Sequence, residues 1–257
     1  MQDITKQGHV NLQIENGIGT ITFFHPAHNS MPGRLLAELT DTITKAGQNT
    51  DIKVIVLQSE GEKTFCAGAS FDELISIKDT EVGHRFFMGF ANVINACRKC
   101  PKLIIGRVQG KAIGGGVGIA SATDYCFAVK SASAKLSELA VGIGPFVVGP
   151  AVQRKVGLSA FSQMAINATK FFDADWAREK GLYAEVFETA EQMDAAIADL
   201  AFTLANSSPE AMSDLKKVCW EGCENWDELL STRAGISGRL VLTDFTVNAI
   251  NKFKAKA

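Results

Sequence analysis

Ile104-Ile105-Gly106-Arg107-Val108-Gln109-Gly110-Lys111-Ala112-Ile113-Gly114-Gly115-Gly116-Val117-Gly118 is the stretch that decides the fold. Leu103-Ile104-Ile105 is an apolar run of strand length and β-branched content. Loop-forming glycines follow, and then a small-residue segment, Val117-Gly118-Ile119-Ala120-Ser121-Ala122, that can wind as a closely packed helix. Strand, glycine turn and helix start, in that order, present backbone N–H groups at the positive end of a helix, where an oxyanion or phosphate is stabilised. Three consecutive glycines also remove side chains, so a ligand can approach the backbone closely. A tight strand-to-helix turn with no ligand would use the same residues, and the rest of the chain has to decide between the two.

Upstream, Val54-Ile55-Val56-Leu57 is a continuous apolar run expected of a strand buried on both faces. Gly61 to Leu74 forms a second small-residue loop leading to a helix, and a helix over 84–99 (Phe87, Phe90, Ala91, Val93, Ile94) precedes the central strand. Strand, loop and helix thus recur, each time with small residues at the strand's carboxyl end, where α/β sheets place ligands. Nearer the N-terminus, His9–Glu15 and Ile18–Phe23 alternate apolar and polar around Asn16-Gly17, a hairpin signal. Pro26 closes the second strand, and Pro32 suits the first turn of a helix over 32–48. A helix between two strands implies a partly parallel sheet.

Downstream, Tyr125–Val129 reads as a strand and Ala134-Lys135-Leu136 as a short edge strand. Gly142 to Pro150 is too rich in glycine and proline for a helix. Helical patterns cover 151–156 and 159–167, a turn lies around Phe172-Asp173-Ala174, and helix 175–180 and strand 183–186 close the main body. An all-helical C-terminal third follows: about 190–206, 209–220, and one long segment over about 226–252 that would pack on the body or on another subunit.

The 257 residues, 46% apolar and 21% charged, suit a soluble globular chain with a substantial core. A net charge of −2 argues against a nucleic-acid partner held by bulk electrostatics. No apolar run approaches a membrane span, and Met1-Gln2-Asp3-Ile4-Thr5-Lys6 has no apolar signal core, so neither membrane nor export is expected. The cysteines at 66, 97, 100, 126, 219 and 223 are scattered. The 97/100 and 219/223 pairs could supply four thiolates, but their spacing is imperfect and reduced, partly buried thiols are the simpler expectation. A cytoplasmic protein without a metal is therefore expected.

Neither a Walker-type phosphate loop, nor G-x-S-x-G, nor H-E-x-x-H occurs, and the glycines at 114, 116 and 118 miss the dinucleotide spacing. Five segments in order instead resemble the crotonase superfamily, the enoyl-CoA hydratase/isomerase family. They are Ile21 to Asn29, Phe65-Cys66-Ala67-Gly68-Ala69 (family form A-F-x-A-G-A-D), Val108 to Gly116 (V-x-G-x-A-x-G-G-G), Ala122-Thr123-Asp124, and Asp173 to Leu182 after the helix over 150–157 (A-x-E-A-x-x-x-G-L-V). The chain departs from the pattern at Ser70, usually Asp, and His25, usually Asn.

The resemblance implies an α/β (α+β) fold, a spiral of ββα repeats over residues 1–195 holding an acyl-CoA site. A helical region over 196–257 would serve packing and oligomerisation as a homotrimer or hexamer. Coenzyme A is then part of the substrate, and no separate cofactor is needed. By the same resemblance the oxyanion-hole amides fall on Ala69 and Gly115. Cys66, Ala67 and Gly68 line the adenine side, and Gly114, Gly118, Pro145 and Phe146 complete the substrate site.

A typical hydratase of this family carries two glutamates, one two residues beyond the glycine triplet and one 20 residues further on; here those positions are Gly118 and Glu138. Hydration divides its work between two carboxylates. Moving a double bond from the 3- to the 2-position of an enoyl thioester needs one, which takes a C2 proton and returns it at C4. Gly142-Ile143-x-Pro145-Phe146 also resembles 3-enoyl-CoA isomerases that keep only the second glutamate. A glutamate in an apolar pocket has its pKa raised, as a base that must also act as an acid requires. Isomerase is therefore the expectation. A hydratase, a decarboxylase, a thioesterase or a catalytically weak interaction protein of the same fold are the alternatives. His25, His28 and His84 read as loop or surface residues, Asp124 as a backbone anchor. Lys99, Lys102, Arg107 and Lys111 suit either CoA phosphates or a solvated face, and Asp72 and Glu73 either a second acid or a helix N-terminus.

Overall fold

The computed structural model describes residues 7–254, so Met1–Lys6, where a signal core was sought, lies outside the described residues. Asn16 and Gly17 both take positive φ (51° and 80°), the conformation that joins right-twisted strands by two residues. They connect β1 (His9–Glu15) to β2 (Ile18–Phe24) in an antiparallel ladder running from His9↔Phe24 to Glu15↔Ile18.

β3 (Ser30–Met31) and α1 (Gly33–Gln48) follow. Pro32 precedes the helix in extended conformation rather than entering its first turn. The orphan N–H of Gly33 is taken by Glu73 Oε2 at 2.7 Å, since Pro32 has no side-chain acceptor to offer. β4 (Val54–Ser59) then lies parallel to β2, buried along nearly its whole length as its apolar run required.

From here the chain repeats a simple step: one strand for a large sheet, one for a small sheet, then a helix. β4 is followed by β5 (Thr64–Cys66), β6 (Gly68–Ala69), α2 (Phe71–Ser76) and α3 (Thr80–Lys99). β7 (Ile104–Val108) is followed by β8 (Lys111–Ile113) and α4 (Gly115–Ala122). β9 (Tyr125–Val129) is followed by β10 (Ser133–Lys135), a 3₁₀ turn over Leu139–Val141 and α5 (Gly149–Ile166). After β11 (Phe172–Asp173), α6 (Ala174–Glu179) and β12 (Glu185–Phe187), the large sheet has the order β1-β2-β4-β7-β9-β12, parallel except for β1. The small sheet has the order β11-β10-β8-β5. This is the expected spiral of ββα turns.

Several local expectations change. The helix expected from 84 begins at Thr80, where Asp79 Oδ1 accepts Val82 N at 2.8 Å and caps it. β10 is an interior strand, because Phe172-Asp173, expected as a turn, pairs outside it. The helices expected over 151–156 and 159–167 are both present within Gly149–Ile166, divided at Gly157, whose angles (φ 75°, ψ 165°) are not helical. The strand expected over 183–186 starts at Glu185, and Tyr183 before it is wholly buried.

The C-terminal helices are α7 (Ala190–Ala205), α8 (Pro209–Cys219), α9 (Trp226–Leu240) and α10 (Asp244–Lys254). The single long segment expected over 226–252 is two helices, broken where Thr243 Oγ1 accepts Thr246 N and starts a new helix. The division expected at 195/196 lies inside α7, which packs on the large sheet. α3 and α9 cross at backbone contact. A methyl group on Gly83 would lie 2.6 Å from Gly238 O.

Asp124 ties these layers together. Its Oδ2 accepts Ile104 N at 2.8 Å and pairs with Lys216 Nζ at 2.9 Å. Its Oδ1 accepts Trp220 Nε1 at 2.8 Å, and its carbonyl accepts Lys155 Nζ at 2.9 Å. The expected role as a backbone anchor is therefore found, extended to the C-terminal helices. Removing one partner of a buried ion pair strands the other, at about 3–5 kcal/mol. Asp124→Ala is expected to lose stability on that scale in chemical denaturation, whereas Lys217→Ala, at an exposed pair, is expected to change it by less than about 1 kcal/mol.

Candidate active site

The glycine triplet is packed from three sides. Gly114 sits at φ 53°, ψ −115°, donates its N–H to Lys135 O at 2.8 Å, and has the Glu138 carboxylate against its α-carbon; a Cβ there would lie 3.1 Å from Oε1. A Cβ on Gly115 would run into the Phe90 ring at 2.1 Å, and one on Gly116 into Cys66 O at 2.5 Å. Glycine is required here by close approach. Gly115 is also the first residue of α4, so its N–H belongs to the class that has no intrahelical acceptor.

The second small-residue loop lies directly beside this junction. β6 pairs with β3 (Met31↔Ala69), and Gly68, at φ 85°, faces the end of β8: a Cβ on it would be 2.8 Å from Ile113 O and 3.4 Å from Gly115 N. Ser70 N donates to Met31 O. Ser70, where the family pattern has Asp, caps α2 by accepting Glu73 N.

These loops open onto a cavity of about 510 Å³. Ala67, Gly68, Ala69, Gly114, Gly115, Glu138, Pro145 and Phe146 all line it. Cys66 and Gly118 do not. Cys66 is buried behind the loop with its Sγ accepting Gly68 N, and burial pushes its thiol up to about 12, which leaves no thiolate nucleophile there. Gly118 is covered by Val148, whose Cγ1 would be 2.5 Å from a Cβ on the glycine. The space beside Gly118 therefore holds a hydrocarbon side chain.

Glu138 begins the 3₁₀ turn, and its carbonyl accepts Val141 N and Ile143 N at 3.2 and 3.0 Å. The residue as a whole is half-buried, yet its Oε2 is sealed from solvent and has no hydrogen-bond partner among the described residues. Burial pushes its pKa up to about 7. Among the described residues Glu138 is the only carboxylate lining the cavity. Leu74, Phe87, Phe90, Val141, Val147 and Val148 add an apolar part of the wall. Such a group can take up a proton and release it near neutral pH, beside a strand–helix junction rich in backbone N–H.

The other candidates are engaged elsewhere. Glu73 is held by Gly33 N. His84 meets the carbonyl and hydroxyl of Ser231, and His25 Nδ1 lies 3.1 Å from Ser30 Oγ. Lys99 pairs with Asp227, Arg107 with Asp194, and Lys102 donates to the carbonyls of Ala46 and Asn49. Among the described residues no group of three or more His, Cys, Asp or Glu side chains could hold a metal, and no helix is long and apolar enough to cross a membrane. Phe90 and Phe87 went unnoticed as cavity residues because their helical spacing reads as an ordinary core face. Ser237 comes from a helix more than a hundred residues away and has no local signal.

Comparisons with known proteins point to one family. The family described as enoyl-CoA hydratase/isomerase matches residues 13–235. A peroxisomal Delta(3,5)-Delta(2,4)-dienoyl-CoA isomerase from Arabidopsis thaliana is 27% identical over 84% of this chain and 83% of its own length. A short-chain-enoyl-CoA hydratase from Clostridium acetobutylicum is 27% identical over 96% of this chain and 95% of its own. The crystal structure of an enoyl-CoA hydratase from Bacillus halodurans superimposes with a TM-score of 0.87 at 20% identity, covering 95% of this chain and 99% of that one, and shares the fold.

The contact between Gly118 and Val148 can be tested by itself. Forcing a methyl group into packed space costs about 1–3 kcal/mol. Gly118→Ala is expected to destabilise the chain by that amount in urea denaturation, and Val148→Ala in the same molecule is expected to recover part of the loss. Additive losses in the double variant would show that the two positions do not press on one another.

Proposed function

The chain belongs to the enoyl-CoA hydratase/isomerase family, and within it we propose an isomerase that moves a 3-enoyl-CoA double bond to the 2-position through Glu138 alone. The observation that carries this reading is Val148 packed over Gly118, which leaves Glu138 as the one carboxylate at the cavity among the described residues. Hydration asks for a second acid–base group and a water held opposite the first. Here that place is apolar.

In the proposed reaction the N–H groups of Ala69 and Gly115 receive the thioester oxygen. Glu138, as the carboxylate, removes a proton from C2; the C–H electrons form the enolate, conjugated with the C3–C4 double bond. The protonated Glu138 then delivers the same proton to C4, the C2–C3 double bond forms, and the carboxylate is regenerated. Two preorganised donors stabilise the intermediate dienolate, and loss of one such donor typically costs about 3–4 kcal/mol. Proton return requires that the acid not lose its proton to solvent, which the sealed Oε2 and the apolar wall favour.

The reading extends to the setting of the enzyme. We take the substrate to be an acyl-CoA thioester and the assembly a homotrimer or hexamer. The exposed apolar side chains Phe202, Leu215, Val218 and Phe245 on the C-terminal helices support an oligomer. Six free thiols, five of them buried, fit a cytoplasmic location.

Turnover of 3-enoyl-CoA and 2-enoyl-CoA, each with wild type and Glu138→Gln, tests the mechanism. Isomerisation is expected, without hydration, and a fall of roughly 10³-fold in the variant. Because the base acts ionised and its pKa lies at about 7, kcat/KM should rise with pH through about 7 to a plateau and be lost below it. Efficient hydration of the 2-enoyl substrate would overturn the one-carboxylate reading, and activity surviving in Glu138→Gln would mean another base.

A further inference from the structure

One cluster at the cavity has no part in the proton transfer. Lys135 lines the cavity, stands opposite Ile113 in the parallel β8/β10 ladder, and accepts Gly114 N through its carbonyl. Its ammonium lies 4.2 Å from the centroid of the Phe171 ring. Lys111, two residues before Ile113 on β8, brings its own ammonium to 5.4 Å from the same ring. Phe171 itself is 38% exposed.

Two cations gathered at one partly exposed aromatic ring repel each other. The negative face of the ring holds both, but it does not neutralise either. Neither lysine has a carboxylate partner among the described residues, in contrast to Lys99, Lys130, Lys180, Lys216 and Lys217, each of which pairs with one. Burial, and then the nearness of Lys111, lowers the pKa of Lys135. An arriving anion would relieve both costs at once, and the stems are already ordered on the ring.

We propose that Lys135 and Lys111, held on the Phe171 ring at the rim of the cavity, bind an anionic group of the thioester ligand. This rests on the acyl-CoA reading above. Such a ligand offers anionic oxygens in two places, the phosphates of its CoA portion and, where the acyl group is dicarboxylic, a terminal carboxylate. Two ammonium groups sharing one ring match the two or three oxygens of either.

Calorimetric titration of the full chain with CoA, dephospho-CoA, butyryl-CoA and glutaryl-CoA tests the site. Lys135→Gln and Lys111→Gln should each weaken binding about tenfold, as loss of a charge-assisted contact does, while Lys135→Arg and the distant Lys217→Gln leave it near wild type. A loss shared by CoA and butyryl-CoA identifies a phosphate, and dephospho-CoA tells the terminal phosphate from the diphosphate. A loss confined to glutaryl-CoA identifies the acyl carboxylate. Added salt should weaken wild-type binding more steeply than that of the double Gln variant. Wild type that binds while every Gln variant binds equally well overturns the lysine site and leaves the acyl-CoA reading intact. Wild type that binds none of the four ligands overturns both.

Discussion

A carboxylate shut away from water against a residue with no side chain is the constraint on which this site depends. Glu138 sets its oxygens close against Gly114, where a Cβ would crowd them, and Gly114 takes backbone angles (φ 53°, ψ −115°) that favour glycine. The sealing that raises the carboxyl pKa to about 7 is a stability cost. An acid whose folded pKa exceeds its unfolded value binds its proton more tightly in the folded state, so stability falls as pH rises from about 4.5 to about 7. A buried core running through both sheets and α1, α3 and α4 offsets that cost.

The same economy of space explains the neighbouring positions. Gly115, Gly116 and Gly118 each face a different hard wall: an aromatic ring, a carbonyl and a valine. Only the valine bears on the proposed chemistry. Phe90 and Cys66 O keep the strand–helix junction tight, whereas Val148 occupies volume in which a second acid would otherwise stand. A buried charge beside a valine would need a partner of its own. Hydrophobic packing at this point therefore bears on the reaction and not only on stability.

Most of the spiral was legible because its signals are local. Asn16-Gly17, the continuous run Val54–Leu57 and the glycine triplet each encode their geometry within a few residues, and the order of five segments carried the family. What was not legible depends on partners far along the chain. β10 looks like an edge strand until Phe172-Asp173 pairs outside it, and Gly33 looks uncapped until Glu73 arrives from 40 residues away. Gly118 showed that one carboxylate is missing. Nothing within its own segment shows that Val148, 30 residues on, fills the space. Motif position implies that Cys66 and Gly118 lie at the substrate, but Cys66 is buried behind its loop and Gly118 lies beneath the cavity-lining Val148. The lysines divide in the same way. Composition cannot tell Lys99, Lys102 and Arg107, tied into the fold, from Lys111 and Lys135, which are not paired.

The helical C-terminal region is less separate than its composition implies. α7 covers the large sheet, and Trp220 and Lys216 of the following segment reach Asp124 at the end of α4. The last helix goes furthest. Gly142, at φ 82°, closes the 3₁₀ turn that begins at Glu138, and a Cβ on it would strike the Phe245 ring and Thr246 Oγ1 of α10. α10 also packs on α2, which directly follows Ala69. One helix thus rests on both segments whose relative position sets the proposed site: the turn carrying the carboxylate and the loop carrying one of the two proposed amide donors. Thr246 is fully buried in this contact, so the brace is part of the packed interior. A chain cut before α10 would keep every residue that touches the cavity and lose the contact that holds two of them in register.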